Sequence, residues 1–87
     1  MAIFLISYDL RNPDFDYEPL YTALKLIEAK HVQDSVWEVN TKSSAKIVFK
    51  FLWRNMFNGR DRLFVVRFDK TQEYEVINSI SELAKMN

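Results

Sequence analysis

Asp9 ends the strongest apolar run of the chain, "IFLISYD", and Leu10, Arg11, Asn12 and Pro13 follow it at once. A carboxylate at the end of a strand has two ordinary uses. It can hold a divalent cation such as Mg²⁺, which takes one or two carboxylates with waters and phosphate oxygens around it. It can also accept hydrogen bonds from backbone N–H groups of the turn at residues 10–12. Ser7 and Arg11 flank Asp9 with groups able to orient a phosphate, and Tyr8 adds a hydroxyl. A second set of residues has the spacing of a helix face. Lys42, Lys46, Lys50 and Arg54 recur every four positions, with Phe49 and Trp53 at the margin. Rows of cations meet phosphates, and an aromatic ring at the rim can stack on a base. The same row is also the ordinary solvated side of an amphipathic helix.

Other chemistries drop out. There is no cysteine and His31 is the single histidine, so a zinc site of His and Cys ligands is excluded. No Gly-rich phosphate loop, nucleophile elbow or HExxH pattern occurs. His31 has no evident acid–base partner in sequence, and Trp37 and Trp53 read as core or dimer anchors. Formal net charge is zero, yet its distribution is uneven. Residues 1–41 carry seven acids against Arg11, Lys25 and Lys30, whereas residues 42–67 carry seven basic side chains against Asp61. A polarised surface follows.

The elements that must position these residues can be read from periodicity. Eighty-seven residues with 48% hydrophobic content predict a single domain over residues 1–87. Ile3 to Leu10 reads as a strand apolar on both faces, and "RLFVVRF" as a second. Asp14 or Asp16 is the expected cap of a helix using Leu20, Leu24 and Ile27, with Pro19 in its first turn. His31 to Val39 is expected to be extended. A helix from about Ser44 to Phe57 is expected to bury Ile47, Val48, Phe51, Leu52 and Met56. "NGRD" is the strongest turn signal, and a last helix is expected from about Glu73 to Lys85. Two strands apolar on both sides need cover beyond two helices, from the last helix, a second copy of the chain, or both, and a homodimer is expected. No apolar run is long enough to span a membrane, and no secretory signal is visible, so a cytoplasmic protein is expected.

Two motifs carry a resemblance. "FLISYDL" (Phe4 to Leu10) resembles the first strand of the CRISPR-associated protein 2 family, which ends in Tyr-Asp. "VQDSVWEV" (Val32 to Val39) resembles that family's second signature. The likeness covers roughly residues 1–68 and is nearest to the SinR-like branch, with the virulence-associated protein D toxins as a further relative. It implies an α+β, ferredoxin-like βαββαβ sandwich, here with an extra C-terminal helix, forming a symmetric homodimer. A short strand around Val32 would pair with a longer one around Trp37. The implied activity is Mg²⁺-dependent cleavage of nucleic acid, with Asp9 as catalytic metal ligand. Ser7 and Arg11 would orient phosphate, and Lys46, Lys50 and Arg54 would steer the strand. The alternatives are a non-catalytic dimeric adaptor for a protein or nucleic-acid partner, and a toxin–antitoxin ribonuclease. Where the family has a basic cluster after the aspartate, this chain has Arg11 and then the acidic "NPDFDYE".

Overall fold

A computed structural model describes residues 1–56 and 59–68, so the expected helix at 73–85 lies outside the described residues. Six elements follow one another: β1 (Ala2–Asp9), α1 (Glu18–Leu26), β2 (Lys30–Gln33), β3 (Val36–Thr41), α2 (Ala45–Trp53) and β4 (Arg62–Phe68). The four strands form one sheet in the order β2-β3-β1-β4, with each neighbouring pair antiparallel. The protein is thus a small α+β domain with β1 inside the sheet. None of the described helices is long and apolar enough to cross a membrane.

Strand periodicity decides what faces the helices. Phe4, Ile6 and Tyr8 of β1 and Trp37 and Val39 of β3 are buried, joined by Leu20, Ala23, Leu24, Val48, Leu52 and Met56 from the helical side. Ile6, Leu20, Leu24, Leu52 and Val39 are fully enclosed, and each contributes about 1.5–3 kcal/mol of burial. The alternate residues of β1, namely Ile3, Leu5, Ser7 and Asp9, point to the opposite face. Their register partners there are Phe68, Val66, Phe64 and Arg62 of β4. Phe64 is 62% exposed and Val66 39% exposed.

A buried polar chain holds the core in register. Trp37 Nε1–H donates to the Tyr8 hydroxyl at 2.8 Å, which donates to the Asp34 carbonyl at 3.3 Å. His31 Nε2 lies 3.1 Å from that carbonyl, and its ring stacks on Trp37 with centroids 4.1 Å apart. Tyr8 N–H also donates to the Ser35 carbonyl at 3.1 Å. The segment 31–39 is therefore not one extended run. It turns at Asp34 and Ser35 because that turn is bonded to the end of β1.

The helices differ from expectation at their ends. Neither Asp14 nor Asp16 caps α1. Tyr17 occupies the N-cap without a side-chain cap bond, and Asp16 accepts from Glu18 N–H at 3.0 Å as a local turn. In α2, Ser44 caps by accepting from Ile47 N–H at 3.2 Å. The buried row of this helix runs through Val48 and Leu52 with Ala45 packed beside them, while Ile47 is 59% exposed, outside the expected arc. The α-helix also ends at Trp53, before the expected Phe57. Asn55 and Met56 N–H bond to the Leu52 and Trp53 carbonyls, tightening the last turn.

The end of α1 generates a prediction. Ala29 N–H bonds the Leu24 carbonyl and Glu28 N–H the Lys25 carbonyl, both at 3.0 Å. This pattern needs a left-handed residue between helix and strand, and Glu28 supplies it at φ 58°. A residue with a Cβ is strained there by about 1–2 kcal/mol. Glu28→Gly should therefore raise unfolding free energy by about 0.5–1 kcal/mol, read from urea midpoints. A loss of stability would show that the Glu28 side chain matters more than its backbone.

Candidate functional site

The end of β1 and the start of β4 place Asp9 opposite Arg62 in the register. The Asp9 carboxylate lies 3.7 Å from the Arg62 guanidinium, with the two side chains 60% and 70% exposed. Ser7, Asp9, Arg62 and Phe64, with Tyr8 and Leu63, line a shallow pocket of about 300 Å³. An ion pair this exposed stabilises by no more than about 1 kcal/mol. Its consequence is local: a cation stands beside the carboxylate that was expected to meet a metal.

Two of the three turn donors expected to reach Asp9 go elsewhere. Arg11 N–H donates to Asp61 at 2.8 Å, and Asn12 N–H to the Tyr17 hydroxyl at 3.3 Å. That hydroxyl in turn donates to the Asp61 carboxylate, with its oxygens at 2.7 and 2.8 Å. Asp61 is 7% exposed. A carboxylate taken out of water needs such donors, because an unpaired one is very costly. Tyr17 and Asp61 thus latch the loop after β1 to the residue before β4, fixing the approach of Asp9 and Arg62. Neither residue stands out in sequence, since the two are 44 positions apart and only the fold unites them. The one available clue was that Asp61 is the single acid within residues 42–67.

Among the described residues, one protomer brings a single carboxylate, that of Asp9, to this pocket, with the Ser7 hydroxyl on the same strand face. Arg62, 3.7 Å away, opposes a metal there by its charge and not by a hydrogen bond to the carboxylate. Those groups alone do not complete a Mg²⁺ site, and the expected metal would need further ligands, of which a partner protomer's Asp9 is the one the resemblance implies.

The second candidate region lies on the other side of the sheet. Helix α2 packs its Val48–Leu52 row on the sheet face that carries Phe4, Ile6 and Tyr8, whereas Asp9 belongs to the opposite face. Lys46 and Lys50 are exposed on α2. Phe49 and Trp53, both half-buried, lie near-parallel with centroids 5.9 Å apart. Arg54 diverges from the two lysines. Its guanidinium sits 5.7 Å over the Phe51 ring, and the residue lines the α1–α2 groove beside Asp16 and Glu18. Arg11 is exposed on the loop after β1. The expected site residues therefore separate: Ser7 and Asp9 share one side of the sheet, Lys46 and Lys50 stand on the other, and Arg11 lies on the loop outside the Asp9 pocket.

The latch should be visible at alkaline pH. Burial first, then the bond to Asp61, holds the Tyr17 hydroxyl above its ordinary value of 10.0. The unfolded chain gives up this proton first. The stabilisation is complete below about pH 10 and is lost as pH rises through the folded value. Tyr17→Phe should cost about 1–3 kcal/mol at neutral pH, by leaving Asp61 short of a donor, and should flatten the alkaline decline. Urea unfolding of both proteins across that range checks this; parallel curves of equal stability would contradict it. No family model matches the sequence.

Proposed function

We propose that this chain is a homodimeric, cytoplasmic nucleic-acid-associated protein with a ferredoxin-like fold, resembling CRISPR-associated protein 2, and that it holds nucleic acid without cleaving it. The observation that carries the proposal is the charge of α2 and its flanks. Residues 42–60 contain Lys42, Lys46, Lys50, Arg54 and Arg60 and no acid, and the helix displays Lys46 and Lys50 outward. Such a face releases counterions when it meets a phosphate backbone.

Three further observations support parts of this reading. The βαββαβ order with strands arranged β2-β3-β1-β4 is what a ferredoxin-like sandwich requires. The exposure of Phe64 and Val66 beside Ile3 and Leu5 supplies an apolar sheet face for a second copy of the chain. Binding without cleavage fits the pairing of Asp9 with Arg62 and the separation of Asp9 from the lysines by the sheet.

Each part has its own test. Phe64→Glu should convert a dimer at micromolar concentration to a folded monomer by light scattering, because a charge buried at an apolar interface is unpaired. An unchanged mass would remove that face from the interface, and a monomeric wild type would remove the dimer. Changing Lys46 and Lys50 together to Gln should lower the slope of log K against log salt by about two for nucleic acid, with Arg54→Gln adding less. An unchanged slope would return both lysines to a plain solvated face. Mg²⁺-dependent cleavage by wild type that Asp9→Asn abolishes would contradict binding without hydrolysis.

A further inference from the structure

Resting on that nucleic-acid reading, we infer that α2 carries a base-stacking ledge, formed by Phe49 on Trp53, which selects unpaired nucleotides over duplex. The two rings are stacked on each other, at 19° with centroids 5.9 Å apart, so a base added to the pair extends a stack already begun. Trp53 packs against the core, which anchors the pair. Phe49 is one turn before it on the helix, between Lys46 and Lys50 in sequence, and both lysines are exposed. Arg67 comes up on the helix side of the edge strand, opposite Phe4 in the register, and is exposed. Lys46 and Lys50 thus share a helix with the rings, and Arg67 adds a cation on the same side of the sheet.

The chemistry this arrangement recognises is a phosphate backbone with bases free to turn outward. Every base has a π-face, so the ledge is sequence-tolerant. In a duplex those faces are already stacked on one another, leaving the phosphates as the shared attraction. Single strands gain from ring and cation together, and duplex gains from the cations alone. A lysine face without the ring pair would show no such preference.

Fluorescence and competition separate these terms. Wild-type protein is titrated at one salt concentration with oligodeoxythymidylate of about 15 nucleotides, within the span of known single-strand sites, and with a duplex of equal length. The single strand should bind about tenfold tighter or more and quench Trp53, the half-buried one of the two tryptophans; Trp37 is buried against His31. Phe49→Leu should remove the preference by weakening the single strand about tenfold, with duplex affinity and salt slope retained. Phe49→Tyr, which keeps a ring, should keep the preference, and it guards against a folding defect in the leucine variant. Equal binding of both nucleic acids, duplex-only binding, or an undiminished preference in Phe49→Leu would overturn the ledge while leaving the nucleic-acid reading standing. Binding of neither would overturn both.

Discussion

Everything in this domain follows from a central strand that is apolar on both faces. Phe4, Ile6 and Tyr8 turn one way into the helical layer, while Ile3 and Leu5 turn the other way beside Val66 and Phe68. Among the described residues, two helices of nine residues cover one face of the sheet. The face they leave carries Phe64 at 62% exposure. An antiparallel sheet of this size normally alternates apolar and polar residues and leaves its outer face to water. This one mixes the two: Ile3, Leu5, Phe64 and Val66 share the outer face with Ser7, Asp9, Glu38 and Arg62, and its apolar members are what support the proposed dimer.

The same strand sets the chemistry at its end. Tyr8 is committed to the core through Trp37 and Asp34, so the next residue, Asp9, must emerge on the opposite face, where β4 meets it with Arg62. The loop that follows is then tied down by Asp61 through Arg11 N–H and the Tyr17 hydroxyl. Charge on the helical side is segregated differently, with cations along α2 and acids near the start of α1. Arg54 leans toward those acids over Phe51. One nucleic-acid strand held on Lys46 and Lys50 would have to pass round the sheet edge to reach Asp9 of the same protomer.

Much of the fold was legible because it rests on local periodicity. Short runs apolar on both faces marked β1 and β4, and the cores of both helices lay close to where Leu20, Leu24, Val48 and Leu52 predicted. What sequence reading missed depends on partners distant in the chain. The break at Asp34 is held by Tyr8, and two of the donors expected for Asp9 are taken by Asp61 and Tyr17. Ile47 was misplaced because four-residue spacing drifts by about 40° per step on a helix of 3.6 residues per turn. The same drift separates Arg54 from Lys46, so a row that is regular in sequence is not one face in space. The resemblance pointed to Asp9 by its position at the end of a strand, and could not show that an arginine from β4 would stand against it.

The central claim is that nucleic acid is held by α2 and not at Asp9. Backbone amide shifts of the full chain, followed by NMR while a short oligonucleotide is added, locate the ligand without any substitution. The account predicts the largest changes across residues 45–54 and at Arg67, with Ser7, Asp9 and residues 62–64 little moved. Changes centred on Ser7, Asp9 and Arg62, with α2 silent, would contradict it.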